Sequence, residues 1–228
     1  LIDIVQIGAG IGKDVTCDII WLQFEYARRK GLSGLFVEPF ESSFEKLKEY
    51  YSQFGNCFFE QCAIMEPKFV EENDHAILSY WDNCPANNCR ATTMPPEKDT
   101  FGRNNKKIAV PCMSLADLLD KYKLRGQEFE LLQIDAEGKD LELIMTTDCN
   151  NYFPKHIRAE TVRSTVEKPY ATEYLESFGY SIACEEDPYF KLAQKWHTGL
   201  SPEGNVGKYN GENVCLELGN YNTLWSKE

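Results

Sequence analysis

The stretch Leu1-Ile2-Asp3-Ile4-Val5-Gln6-Ile7-Gly8-Ala9-Gly10-Ile11-Gly12 is a nearly continuous apolar run that breaks into alternating glycines. An apolar run without in-out alternation suits a strand buried on both faces of a parallel sheet. The glycines after it allow a tight turn and a close backbone approach. From Asp14 to Lys30 apolar residues recur at Val15, Ile19, Leu22 and Tyr26. Arg28, Arg29 and Lys30 sit toward the negative end of that helix dipole, and Gly31 stops it. Strand, glycine turn and helix are the expected opening of an α/β fold.

Working outward, the alternation continues. Leu35–Val37 is a second strand ending in Glu38-Pro39. Ser42 to Glu45 has capping-box spacing, and Phe44, Leu47, Tyr51 and Phe54 follow at helical intervals before Gly55. Asn56–Ile64 reads as a third strand. Ile77–Trp81 and Lys107–Val110 read as strands around a long loop, Asn83–Lys106, rich in Asn and Pro. Ser114-x-x-Asp117 caps a helix carrying Leu115, Leu118, Leu119 and Tyr122. Phe129–Ile134 is the next buried strand, Gly138–Met145 a helix, and His156–Ala159 a strand ending at Glu160. A helix with Tyr170, Tyr174, Leu175 and Phe178 stops at Gly179, and Tyr180–Ala183 and Val214–Leu218 are late strands. No repeat or linker divides the chain, so one domain over 1–228 is expected. Parallel sheets of this kind bind ligands at the carboxyl ends of their strands, near the point where strand order reverses.

Composition agrees with a folded chain: 43% of its 228 residues are hydrophobic and 26% charged. Its 24 basic and 36 acidic residues leave a net charge of -12, which repels phosphate backbones and anionic membranes. Neither nucleic acid nor a membrane is an expected partner, and no apolar run reaches the roughly 20 residues of a membrane span. Nine cysteines, an odd number at irregular spacing, without any Asn-x-Ser/Thr site, fit a reduced compartment and a cytoplasmic location. The chain starts without Met inside a strand-like run, which leaves open what precedes Leu1. Cys84 and Cys89 supply at most half of a zinc site, and only three histidines exist to complete it.

Three ligand classes place glycines between a first strand and a helix. A phosphate loop needs four residues between its glycines and then Gly-Lys-Ser/Thr; here three residues separate Gly8 from Gly12, and Asp14 takes the hydroxyl position. A dinucleotide fingerprint puts its third glycine on Lys13, whose long side chain opposes close helix packing. Gly-x-Gly-x-Gly suits a ligand without pyrophosphate, such as S-adenosylmethionine, whose carboxylate can use the helix N-terminus. The same glycines also fit nothing more than a tight connection. Glu38 adds weight to the nucleoside, because a carboxylate ending the second strand can accept both ribose hydroxyls.

Gly8–Gly12, Val37-Glu38-Pro39, Asn56 with Ala63, Ser114-Leu115-x-Asp117-Leu118-Leu119 and Ile134-Asp135-Ala136-Glu137-Gly138, in this order, resemble the FkbM family of S-adenosylmethionine-dependent methyltransferases. The resemblance spans about residues 1 to 180, and its most specific piece is Asp135-x-Glu137-Gly138 followed by Leu141-Glu142-Leu143-Ile144. It implies a class I methyltransferase fold: a Rossmann-like three-layer sandwich, with a mostly parallel seven-stranded sheet and helices on both faces. It also implies O-methylation of a hydroxyl on a small molecule or glycan. By the resemblance, Gly8, Ala9, Gly10 and Gly12 line the donor, Glu38 and Pro39 meet its ribose, and the Ala63 region flanks its adenine. Two positions depart from the pattern. Gln6 stands where the family has an acid at the end of the first strand, and its amide can still hydrogen-bond the donor without contributing charge; Asp140 stands where the family has a glutamate.

Methyl transfer to a hydroxyl needs a group that orients the acceptor oxygen and helps remove its proton. Asp135 and Glu137 follow the fourth strand of the expected core at the mouth of the cleft and are the candidates, with Asp135 also facing the donor. Carboxylates before Gly138–Met145 also favour the helix dipole without any catalytic role. Glu160 would end the neighbouring strand, and three carboxylates at one cleft could hold a divalent cation, although the spacing specifies no metal. His156 falls at the wrong end of its strand for catalysis and reads as structural; His75 and His197 have no assigned place. Asp187-Pro188-Tyr189-Phe190 reads as a turn. The loop Asn83–Lys107 holds five basic and two acidic residues, so it is positive inside an acidic chain and can cover an anionic substrate. Tyr80 and Trp81 at its start can stack on a sugar or ring, or belong to the core. Two other functions remain in contrast: a fold-retaining binding or scaffold protein without transfer activity, hinted at by Gln6, and an NAD-dependent oxidoreductase.

Overall fold

The computed structural model describes residues 2–12, 33–80, 106–136, 138–160, 168–184, 206–209, 212–215 and 222–227. The expected helix over 14–30, the loop over 83–105, Trp81, Glu137, His197 and the turn over 187–190 lie outside the described residues.

The described elements, in chain order, are β1 (Ile4–Ile7), β2 (Gly34–Val37), α1 (Glu41–Tyr51), β3 (Cys57–Glu60), β4 (Ala63–Met65), α2 (Pro67–Glu72), β5 (His75–Tyr80) and β6 (Lys106–Ser114). There follow α3 (Leu115–Lys121), β7 (Glu128–Ile134), α4 (Asp140–Met145), β8 (Phe153–Glu160), α5 (Lys168–Glu176), β9 (Tyr180–Cys184), β10 (Val206–Tyr209), β11 (Glu212–Cys215) and β12 (Asn222–Lys227).

Seven strands form the main sheet in the order β3-β2-β1-β7-β8-β12-β9. The pairs from β3 through β8 are parallel, and β12 runs antiparallel between β8 and β9. Chain order therefore reverses at β1, with β2 on one side and β7 on the other. In sheets of this kind the strand ends beside such a reversal are where a ligand crevice is expected.

The strands alternate in which face they bury. One face carries Val5, Ile7, Leu35, Val37, Leu132, Ile134, Ile157 and Ala159 into the main core, against Leu115, Leu118 and Leu119 of α3 and Leu141, Leu143 and Ile144 of α4. On the other, Phe36 packs with Tyr51 of α1 and with Phe59, ring centroids 4.3 and 6.0 Å apart. Gln6 lies level with Gln133, and Gln133 with Arg158, as register partners in adjacent strands. All three are buried, and Arg158 Nη1 donates to Gln133 Oε1 at 2.7 Å.

Four expectations change. Asn56–Ile64 is two strands: β3 edges the main sheet, whereas β4 joins β6 and β5 in a separate three-stranded sheet. Residues 62–65 are all buried, so they carry no alternation that would have marked the break. The helix after β2 is not capped by Ser42. It starts at Glu41 with Phe40 as N-cap, and no side chain of Phe40 caps it; the Glu38 carboxylate instead accepts the Phe40 N–H at 2.9 Å. Gly138 does not open α4, because its φ of 107 is left-handed and the helix begins at Asp140. Finally, β11 pairs with β10 in a two-stranded ribbon, and the seventh strand of the main sheet is β12. The expected cap of α3 is present: Ser114 Oγ accepts the Asp117 N–H at 3.0 Å.

Candidate functional site

Gly8, Gly10 and Gly12 all have left-handed φ values of 74, 55 and 75. The N–H groups of Gly8 and Ala9 both donate to Val37 O at 2.9 Å, which anchors the turn on the end of β2. A Cβ at Gly8 would lie 1.8 Å from the Asp135 carbonyl oxygen, and one at Gly12 would lie 2.4 Å from the Tyr51 ring and 2.7 Å from Leu47. These two glycines therefore let the turn pack on the β7 loop and on α1. Gly10 differs, because a Cβ there would meet none of the described residues within 4 Å.

Glu38 directly follows β2 and is 6% exposed. Its Oε2 accepts the Gly10 N–H at 2.8 Å and its Oε1 the Phe40 N–H at 2.9 Å, so one carboxylate joins the turns after β1 and β2. Pro39 lies between the two anchor points, partly buried. The Phe40 ring packs 5.0 Å from that of Tyr80, the last residue of β5, at an interplanar angle of 52°.

At the end of β7, the Asp135 N–H donates to Ile7 O at 3.0 Å. Asp140 holds the turn that follows: Oδ1 accepts the Ala136 N–H at 2.9 Å and Oδ2 the Gly138 N–H at 3.0 Å, with the residue 3% exposed. The residue that departs from the resembled pattern is thus an internal cap on the turn bearing Asp135. An acidic residue in the first turn of a helix was the available signal for this. Glu160 ends β8 next to the end of β7, since Ile134 and Ala159 are register partners.

The structure thus gathers Gly8, Ala9, Gly10, Gly12, Glu38, Pro39 and Asp135 at the carboxyl ends of β1, β2 and β7. Ala63 opens β4 in the smaller sheet, buried, with Cys112 as its register partner. Gln6 sits within the sheet, one residue below the rim, rather than in the turn. Two contacts had no sequence signal, namely Tyr80 on Phe40 and Lys139 on Glu66; neighbours along a chain say nothing of partners on another sheet.

His156 pairs in register with Leu131, well below the rim. Its Nδ1 lies 2.8 Å from Ser226 Oγ and its Nε2 3.7 Å from Glu130, and burial lowers its pKa. Burial, and then Glu60, push the Cys62 thiol up to about 12, which removes it as a nucleophile. Among the described residues no group of three His, Cys, Asp or Glu side chains could hold a metal ion. No helix among them is long and apolar enough to cross a membrane.

This strand order, with one reversed strand beside the far edge and a glycine turn facing a strand-end carboxylate where the order switches, defines the class I methyltransferase fold. Residues 6–189 match the Methyltransferase FkbM domain, and the chain belongs to that family. Solved structures that it resembles include a precorrin-6y C5,15-methyltransferase from Geobacter metallireducens, at 12% identity and a TM-score of 0.42, covering 99% of this chain and 78% of that one. The PH0226 protein from Pyrococcus horikoshii follows at 12% identity and a TM-score of 0.33, covering 99% and 82%. The YcgJ protein from Bacillus subtilis has 9% identity and a TM-score of 0.35, covering 99% and 92%. At scores this low the strand order and the family match, not these likenesses, define the fold. No curated protein matches the chain.

Proposed function

We propose that the protein is an S-adenosylmethionine-dependent O-methyltransferase acting on a hydroxyl of a small molecule or glycan, in the cytoplasm. The observation that carries this reading is the left-handed Gly10, whose Cβ side meets none of the described residues, beside a buried carboxylate at the end of β2. The residues fit the donor: a bare backbone can pass beneath a nucleoside only where no Cβ projects. When bound, S-adenosylmethionine supplies an electrophilic methyl group on a sulfonium.

Each remaining role falls to the chain. Glu38 stands beside the bare Gly10 turn, whose N–H it accepts, and a carboxylate there is placed to meet the ribose hydroxyls. Phe40, braced by Tyr80, gives that end of the crevice an apolar wall. Asp135, fixed to β1 through its own N–H, would orient the acceptor hydroxyl and take up its proton at the carboxylate. Glu137 is the second candidate for that role. The net charge of -12 supports a small acceptor over nucleic acid or an anionic membrane.

Calorimetry with S-adenosylmethionine and S-adenosylhomocysteine tests the donor, and a screen of hydroxylated acceptors with a radiolabelled methyl donor tests transfer. Glu38→Ala should lose donor affinity, and Asp135→Asn should lose turnover with donor affinity retained. Transfer that persisted undiminished in both variants would overturn the assignment.

A further inference from the structure

The turn after β7 is held from two sides. Asp140 caps it from within, as described above. From outside, Lys139 Nζ lies 3.0 Å from Glu66 Oε1 and also pairs with Glu142 Oε2. The two carboxylates differ in what they tie together. Glu142 stands three residues along the helix that Lys139 caps, so that pair is local. Glu66 is the N-cap of α2, directly after Met65 of β4, and is 73 residues from Lys139 in sequence.

We infer that the Lys139–Glu66 pair is a positioning contact that fixes the Asp135–Gly138 turn against the β4–α2 corner. The Lys139 and Glu66 side chains are 27% and 31% exposed, so the pair is less screened by water and salt than one on an open surface. Ala63 stands three residues before Glu66, and Asp135 four before Lys139, so the contact joins the two segments that would bracket the donor's nucleoside and the acceptor. Tyr80 on Phe40 makes a second contact from the same small sheet, to the turn after β2. The small sheet thus touches the turns after both β2 and β7, and Lys139 is an ionic link from it to the β7 side. The inference rests on the proposed function for what lies between those segments, but not for the contact itself.

Glu66→Gln and Glu142→Gln give the test its discrimination, because each takes one carboxylate from the same ammonium and only the first cuts the link between sheets. Glu66→Gln should weaken S-adenosylhomocysteine binding about tenfold, since displacing a positioned group by a fraction of an ångström is felt on this scale, while Glu142→Gln should stay within about twofold of the parent. Amide hydrogen exchange over residues 135–139 should quicken in Glu66→Gln alone, with the two variants melting at similar temperatures. Equal behaviour of the two Gln variants in both measurements would overturn the inference. If the parent protein bound no S-adenosylhomocysteine, the donor assignment would fail, and the exchange comparison would still decide the contact.

Discussion

Glu38 Oε2 accepts the Gly10 N–H at 2.8 Å across 28 positions of sequence, so a carboxylate at the end of β2 shapes the turn that leaves β1. Together with the Phe40 N–H it satisfies two amides from a site that is almost wholly buried. Hydrogen bonds to a charged acceptor contribute about 1.5–3 kcal/mol each, and a buried donor left unmet is costly. Glu38→Ala should therefore lower stability by about 2–4 kcal/mol and weaken S-adenosylhomocysteine binding by tenfold or more on the order of that loss. Urea denaturation and calorimetry read the two effects. Unchanged values in both would contradict the bridge.

The three glycines should respond differently to alanine. At Gly8 the new Cβ would meet a backbone carbonyl oxygen, and at Gly12 the Tyr51 and Leu47 side chains. Both variants should lose much of their stability, Gly8→Ala the more, because backbone yields less than side chain. Gly10→Ala meets no atom of the described residues and should cost the left-handed strain of about 1–2 kcal/mol. It should nonetheless abolish measurable donor binding, since its methyl would project into the space proposed for the nucleoside. A Gly10→Ala protein that bound S-adenosylhomocysteine normally would place the ligand elsewhere.

Asp140→Ala would leave the Ala136 and Gly138 amides without their carboxylate, at an expected cost of about 2–4 kcal/mol. Asp140→Asn should fall between, because an amide offers one acceptor oxygen where the carboxylate offers two. Thermal melts order the three proteins, and exchange at residues 136 and 138 locates the effect. An Asn variant as stable as the parent would show that the second hydrogen bond contributes nothing.

Alkaline pH should destabilise the fold before any ligand effect is considered. Burial is the main cause that raises Cys57, Cys62 and Cys149 from 9.0 to about 12 and Tyr122 and Tyr152 from 10.0 to about 12. A folded-state pKa above the unfolded value means that the folded protein holds its proton longer. The stability from these groups is complete below pH 9, then declines as pH rises toward 12. The urea midpoint should fall steadily across that interval. At about pH 8 a thiol held at about 12 is ionised to roughly one part in ten thousand, so Cys62 and Cys149 should resist iodoacetamide until the protein is unfolded. Rapid labelling of either in the folded protein would contradict their burial.

Much of the fold was legible because its signals are local. The apolar run before Gly8, the segment Leu35–Val37, the Ser114 cap and the run Phe129–Ile134 each announce themselves within a few residues, through periodicity or a cap that spans one helical turn. Glu38 and Asp135 could be read as strand-end carboxylates for the same reason. The β3–β4 break could not, because the buried run 62–65 carries no alternation to set it apart from the strand before it. Nor could β12: its polar residues Asn222, Thr223, Ser226 and Lys227 give no apolar run, and it becomes a strand because β8 and β9 offer it partners on both edges. What the amino-acid order determined alone was therefore the α/β alternation and which residues stand at strand ends. Closure of the sheet decided which of those ends meet, turning Glu38 onto Gly10, Asp135 onto Ile7 and Lys139 onto Glu66, since contacts between distant segments form only once the strands between them have taken their places.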